Sequence, residues 1–277
     1  MDQEQFLAAA DQVAREIGVF DGIHGYFRTH VERLYRCCLH FGLFEGSHGD
    51  VLEIGPFYSY TPIVLRERAR SYHVIEADDP AVYPIVEAYR AKGVACEYLD
   101  LFDVFGGVIG ASRRLPFADA SFDTVLCWEV MEHFNFNPVP FVRELYRVLK
   151  PGGVGYLSVP NRASLAALTN ILFGVGQDTQ IDQYFQFADY RSGEKVVFYG
   201  FHWREYTLRE FSRLFSKQGF EILNPGHLLT FFSRNDMTLS RQLTRKLAYS
   251  VFPIIPNIGN LNVITVRKPL NATAQSA

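Results

Sequence analysis

The sequence predicts an α/β protein built on a seven-stranded, mostly parallel sheet with helices on both faces and an N-terminal helical cap. Two observations carry that expectation. From residue 50 onward, short apolar runs alternate with stretches of helical spacing, the pattern of βαβ units. The 277 residues are 48% hydrophobic, enough to bury one large core.

In chain order, residues 1–49 read as helical. Phe6, Val13 and Ile17 share a face with the alanines of the first segment, and Tyr26, Val31, Leu34, Cys38 and Phe41 form a second apolar stripe. This segment is a cap and not a domain of its own. Five strands then follow: VLEIG (51–55), YHVIEA (72–77), ACEYLD (95–100), FDTVLCW (122–128) and VGYLSVP (154–160). Between them lie TPIVLRERAR, PAVYPIVEAYRAKG and PFVRELYRVLKPGG, the last ending in a Pro-Gly-Gly turn that stops a helix. A later helix, TLREFSRLFSKQG, opens on Thr207 with Glu210 three residues on, a capping box, and closes on Gly219. FEIL (220–223) and NVITVRK (262–268) complete the strands, so a domain over 50–268 ends in a short polar tail, 269–277, expected to be flexible. The segment 161–200 breaks the alternation. It carries Tyr184, Phe185, Phe187, Tyr190, Phe198 and Tyr199, and long insertions of this kind often serve as lids or binding elements.

Charge and composition narrow the function. With 27 Lys and Arg against 30 Asp and Glu the net charge is −3, which argues against nucleic acid as a partner. The 24 Phe, 15 Tyr and 2 Trp exceed what a core needs and suggest a pocket for a planar or apolar ligand. Cys37, Cys38, Cys96 and Cys127 show no C-x-x-C spacing, so neither a disulfide framework nor a zinc site is expected, and no metal site is predicted. The N-terminus has no long apolar region and no stretch approaches the roughly 20 apolar residues of a membrane span, which predicts a cytoplasmic protein. Around 239–252, Leu239, Leu243 and Leu247 recur beside Arg241, Arg245 and Lys246. Such an amphipathic basic helix suits either packing on the core or peripheral contact with a membrane or a lipid-linked substrate.

Three blocks, VLEIGPFYSY (51–60), LPFADASFDTVLCWEVMEHF (115–134) and LYRVLKPGGVGYLSVPN (145–161), occur in an order and spacing that resembles the class I S-adenosylmethionine-dependent methyltransferases, over roughly residues 50–268. The resemblance implies a Rossmann-like fold, S-adenosyl-L-methionine as cofactor, and methyl transfer to a small-molecule, glycan or lipid-linked acceptor, most simply at oxygen. Glu76, at the end of the second strand, is then placed to accept hydrogen bonds from both ribose hydroxyls, with Ala77 beside it. Glu53 and Gly55 end the first strand, where backbone must approach the cofactor. Asp100 and Leu101 close the third strand on the adenine side, with Asp103 as a rival carboxylate and a helix N-cap as the structural alternative for either. Trp128 and Glu129, ending the fourth strand, face the methionine portion.

Methyl displacement is in line, so holding the nucleophile and excluding water are the main tasks. His133 and His202 are the candidate catalytic groups if an acceptor hydroxyl must lose its proton. Arg204 and Glu205 look like a stretch that positions substrate or lid in relatives.

One departure matters. Glycines expected at 57 and 59 are Phe57 and Ser59, preceded by Pro56, so Phe57 or Tyr58 can pack against cofactor or substrate. The same departure leaves open a non-catalytic binding module that keeps the fold. A nicotinamide-dependent dehydrogenase fits worse, because G-x-G-x-x-G would need glycines where Phe57 and Tyr60 stand.

Overall fold

The computed structural model describes residues 1–18, 24–106, 114–174, 181–186, 191–192, 195–196, 200–231, 246, 249–252, 254–255, 257 and 259–271. The cap consists of α1 (Gln3–Glu16) and α2 (His24–His40). There follow β1 (Asp50–Ile54), α3 (Thr61–Leu65), β2 (Ser71–Glu76), α4 (Tyr83–Ala91), β3 (Ala95–Tyr98), α5 (Leu101–Phe105), β4 (Phe122–Trp128), α6 (Val139–Val148) and β5 (Leu149–Pro160). The insertion carries α7 (Leu165–Leu172), α8 (Ile181–Gln186) and a small hairpin of β6 (Arg191–Ser192) and β7 (Lys195–Val196), and α9 (Leu208–Ser216), β8 (Glu221–Leu228) and β9 (Leu261–Arg267) end the fold.

The seven long strands form the single seven-stranded sheet that the sequence predicts, and their order is β3-β2-β1-β4-β5-β9-β8. β1 through β5 pair parallel, and β9 runs antiparallel to both β5 and β8. Because β1 leads outward to β2 and β3 and the chain then returns to β4 on its other side, the order reverses between β1 and β4. The carboxyl end of that junction is where open α/β sheets bind ligands.

Alternation along the strands builds two cores, one per face. Val51, Val74, Leu126 and Val263 join a cluster with Phe6, Phe27, Ile85 and Tyr89. Their neighbours Leu52, Ile75, Cys127 and Ile264 join a second cluster with Phe105, Phe141, Leu145, Phe211 and Phe215. The cap therefore packs on the same core as β1 and β2. Its second stripe differs from expectation at one position: Phe27 is fully buried, whereas Tyr26 is 40% exposed and sets its ring 4.9 Å from Phe57.

The Thr207–Glu210 capping box is present, and Asp2 with Gln5 forms another at α1. β5 begins directly at Leu149, where the end of α6 passes into a strand that pairs Leu149 with Phe122 before a register shift. All four cysteines are free thiols. Among the described residues no helix is long and apolar enough to cross a membrane.

Several expectations fall outside the described residues: Phe187, Tyr190, Phe198 and Tyr199 of the aromatic insertion, most of the 239–252 helix, and the tail beyond residue 271. Of the 239–252 segment, Tyr249 is described, and its hydroxyl donates to Glu32 on the cap.

Candidate active site

A small, partly open cavity lies at the junction of β1 and β4, the carboxyl-end position where open α/β sheets bind ligands. Its walls are Glu53, Ile54 and Gly55 at the end of β1, Pro56, Phe57 and Ser59 of the following turn, and Trp128 and Glu129 at the end of β4. Tyr26, Arg33 and Leu34 of the cap close it.

The turn after β1 is built on unusual backbone. Gly55 has φ +58°, and a Cβ there would lie 3.0 Å from Val130 Cγ2, so glycine is needed for both conformation and space. Phe57 and Tyr60 adopt φ +51° and +55°, left-handed values that cost bulky residues roughly 1–2 kcal/mol each. Packing holds them there: Phe57 meets Tyr26 and Tyr58 edge-on, and Tyr60 is wholly buried against Phe27. At position 57, where a glycine is expected, aromatic packing thus holds a left-handed backbone that glycine adopts freely, whereas Ser59 is not at positive φ. Tyr58 turns away from the cavity, fully buried, with its hydroxyl donating to the Ala81 carbonyl.

Two buried carboxylates, Glu53 and Glu76, and the largely shielded Glu129 surround this turn. Glu53 accepts from Thr61 Oγ1 and from the Tyr72 hydroxyl, each at 2.6 Å, and burial pushes its pKa up to about 7. Glu76 accepts from the Phe57 amide at 2.7 Å and from Ala77 N at 2.9 Å, and burial raises it to about 7 as well. It stands behind Phe57 and does not itself line the cavity, although each of its oxygens keeps a second lone pair. Glu129, with φ +55°, accepts from Arg33 Nη1 at 3.2 Å and from Ser158 Oγ at 3.3 Å. Burial raises its pKa, and the Arg33 guanidinium opposes that rise.

Of the other expected cofactor contacts, Asp100 and Leu101 lie outside the cavity lining. Asp100 caps α5, accepting from Phe102 N at 2.8 Å, which is the N-cap alternative, while Leu101 is half-buried and Asp103 exposed in the first turn. Trp128 lines the cavity, donates to the Tyr156 carbonyl at 3.0 Å and lies flat against Phe41.

His133 follows β4 on a 3-10 turn, Met131–His133, and His202 approaches it from the chain after the insertion, ring centroids 5.0 Å apart. Their Nδ1 atoms lie 2.9 Å from the Phe201 carbonyl and 3.0 Å from Glu205 Oε1 respectively. Burial, with His202 adding to it, pushes the pKa of His133 down to about 4. Glu132, 1% exposed, joins the pair, and burial holds its pKa well above the usual carboxylate value. Both His202 and Glu205 act electrostatically on Glu129, so this group adjoins the cavity. Tyr184 of α8 packs on Phe201 and Trp203, bringing the described part of the aromatic insertion to the same side.

Sequence reasoning missed the cap's contribution. Arg33 and Tyr26 reach a site formed mainly by residues more than twenty positions later, and the available signal was a charge embedded among Val31, Leu34 and Cys38 on an otherwise apolar face. It also missed Glu132, whose burial is visible only in three dimensions.

Residues 27–224 match the family model described as a methyltransferase domain. The chain belongs to this methyltransferase-domain family. A protein of Mycolicibacterium smegmatis described as a probable S-adenosylmethionine-dependent methyltransferase is 29% identical over 197 residues, covering 71% of this chain and 60% of its own. A similarly described protein of Mycobacterium tuberculosis is 31% identical over 141 residues, 49% of this chain and 41% of its own. The chain therefore spans less than two thirds of the length of these curated relatives. Among solved structures, an S-adenosylmethionine-dependent methyltransferase from Mesorhizobium loti superposes with TM-score 0.52 at 13% identity, covering 86% of this chain and 97% of that one. One from Archaeoglobus fulgidus gives 0.51 at 12% identity, covering 85% and 93%. At such identities these two structures establish the fold.

Proposed function

We propose that this methyltransferase-family protein transfers the methyl group of S-adenosyl-L-methionine to a hydroxyl of a small-molecule, glycan or lipid-linked acceptor in the cytoplasm. The observation that carries the reading is the cavity at the β1–β4 junction, walled by the Gly55 turn on one side and Glu129 with Arg33 on the other. The donor set suits the cofactor. Its amino-acid end is a zwitterion, and the Arg33–Glu129 pair offers a guanidinium to the carboxylate and a carboxylate to the ammonium. Gly55 and Pro56 let backbone approach closely, and Phe57 and Trp128 provide apolar walls. The remaining lone pairs of Glu76 serve the ribose hydroxyls, with Ala77 alongside, and Asp100 and Leu101 bound the adenine end. Glu53 keeps Thr61 and Tyr72 in place beneath the turn. When bound, the cofactor supplies an electrophilic methyl on a sulfonium. The chain's task is then to exclude water and aim an acceptor oxygen, for which His133 and His202 stand beside Glu129.

Titration calorimetry with S-adenosylhomocysteine tests the cofactor assignment, with micromolar affinity expected and absence of heat at high micromolar concentrations overturning it. Transfer of a labelled methyl group from S-adenosylmethionine to candidate hydroxylated acceptors tests the reaction.

A second reading, a binding module that has given up catalysis, is favoured by one observation: the Phe57 amide already occupies a Glu76 oxygen. Loss of both cofactor binding and measured methyl transfer in Glu76→Ala would eliminate that reading.

A further inference from the structure

Glu132, His133 and His202 each offer a ligand atom, and all three atoms lie within 4.8 Å of one another. We propose that they form a binding site for a late first-row divalent cation of the Zn²⁺ type, a site that the cysteine content of the sequence does not foreshadow.

Three features of the cluster carry this. First, the ligand set is two imidazoles and one carboxylate, the composition of catalytic zinc sites that keep a fourth position for water or substrate. Second, both histidines are already oriented as metal ligands are. Nδ1 of His133 faces the Phe201 carbonyl and Nδ1 of His202 faces a carboxylate oxygen of Glu205, both of them acceptors. Those contacts put the ring proton on Nδ1 and the lone pair on Nε2, the arrangement by which a carbonyl or carboxylate behind a histidine fixes its tautomer for metal binding. Third, Glu132 is 1% exposed, and its Oε2 is buried without a hydrogen-bond partner, while Oε1 stands 3.7 Å from His133 Nε2. A buried carboxylate oxygen left unpaired is costly unless a cation or proton meets it.

One separation is already near that of a filled site, and the others close from no more than 4.8 Å. Bonds of about 2.0–2.1 Å in a tetrahedron separate ligand atoms by about 3.4 Å, so the 3.7 Å pair needs almost no movement.

The site's use rests on the function proposed above. The fourth position would take the acceptor hydroxyl, and coordination would lower its pKa so that its proton passes to solvent before the oxygen meets the methyl carbon. The existence of the site does not depend on that reading, and the test keeps the two apart.

The full-length protein, stripped with chelator, is titrated with Co²⁺, which reports a four-coordinate nitrogen and oxygen site by its visible absorption bands, and Zn²⁺ is then added in competition. The expected result is one cobalt per chain, displaced by zinc. His202→Ala, at a side chain 36% exposed and so tolerant of replacement, should weaken zinc binding at least 100-fold. Glu132→Gln, close in shape, should do likewise, and Glu205→Ala, which leaves all three ligands in place, should weaken it about 10-fold. Circular dichroism and S-adenosylhomocysteine binding report whether each variant is folded. Absence of the cobalt bands in the wild-type protein, or unchanged zinc affinity in folded His202→Ala and Glu132→Gln, overturns the proposal. Metal binding without methyl transfer would leave the site standing and remove the reaction assigned to it.

Discussion

Arg33 on the second cap helix places its Nη1 3.2 Å from Oε2 of Glu129, the residue that directly follows the fourth strand, and both side chains are largely shielded, at 18% and 14% exposure. The pair ties the cap to the sheet across 96 residues of sequence and forms one wall of the cavity. Removing one member of such a pair leaves the other as an uncompensated charge in a low-dielectric setting, which is worse than never having buried either.

Arg33→Met should therefore destabilise the protein by roughly 3–5 kcal/mol, while Arg33→Met combined with Glu129→Gln should recover much of that loss. Urea denaturation of the two single variants and the double variant measures the coupling. Additive losses would show that the pair is not linked energetically.

Gly55→Ala adds a Cβ that meets Val130 Cγ2 at 3.0 Å on a backbone with φ +58°. The left-handed conformation alone costs alanine about 1–2 kcal/mol, and relief by twisting the turn would move the cavity wall. The expected outcome is a modest drop in melting temperature with a larger, tenfold or greater, loss of S-adenosylhomocysteine affinity. Comparison of thermal melts with calorimetric titration separates the two, and full affinity in the variant would show that the turn does not touch the cofactor.

The sheet was legible because parallel strands are covered on both faces and so read as nearly continuous apolar runs. VLEI and VLCW are such runs, and even the acid within the first is buried, tied to Thr61 and Tyr72. The capping box at Thr207 was equally plain, since its signal is local. What stayed hidden depends on contacts distant in sequence. Tyr26 looks like a member of an apolar stripe, yet one step of helix rotation puts Phe27 in the core and Tyr26 over Phe57. Tyr58 and Phe57 are adjacent and equally aromatic, but only Phe57 faces the cavity, because the left-handed turn at Phe57 reverses the direction of the chain between them. Glu132 reads as an ordinary acid beside a histidine until the return of the chain at Phe201 to Glu205 covers it.

Glu76 links cofactor binding to pH. Burial first of all, with Asp79 adding to it, raises its pKa to about 7, against which the Ala77 and Phe57 amides pull downward. Ribose hydroxyls donate to the ionised form, so binding must release whatever proton the group holds. S-adenosylhomocysteine should bind more tightly as pH rises from 6 to 8, by several-fold, and the gain should level off above about 7. In Glu76→Gln, which cannot ionise, the affinity should be lower and its rise with pH smaller. Calorimetry at three pH values on both proteins reads this directly, and parallel pH dependences would dissociate Glu76 from the ribose.

Glu53 gives a second pH signature, in stability. Its pKa is raised to about 7, chiefly by burial, whereas an unfolded glutamate titrates near ~4.3. Between those values the native chain retains a proton that the unfolded chain has released, so stability falls as pH rises. The contribution is complete below ~4.3 and is lost as pH climbs through about 7. Buried histidines act in the opposite sense: His30 and His133, pushed down to about 3 and about 4, make the native chain more stable as pH rises toward ~6.5. The informative quantity is accordingly the difference between wild type and Glu53→Gln, in which the histidine contributions cancel. Glu53→Gln keeps an acceptor for Thr61 or Tyr72 and removes the titration, so its deficit relative to wild type should shrink steadily from pH 5 to pH 8. Urea midpoints across that range measure it, and a difference independent of pH would mean that Glu53 is ionised in the native protein throughout.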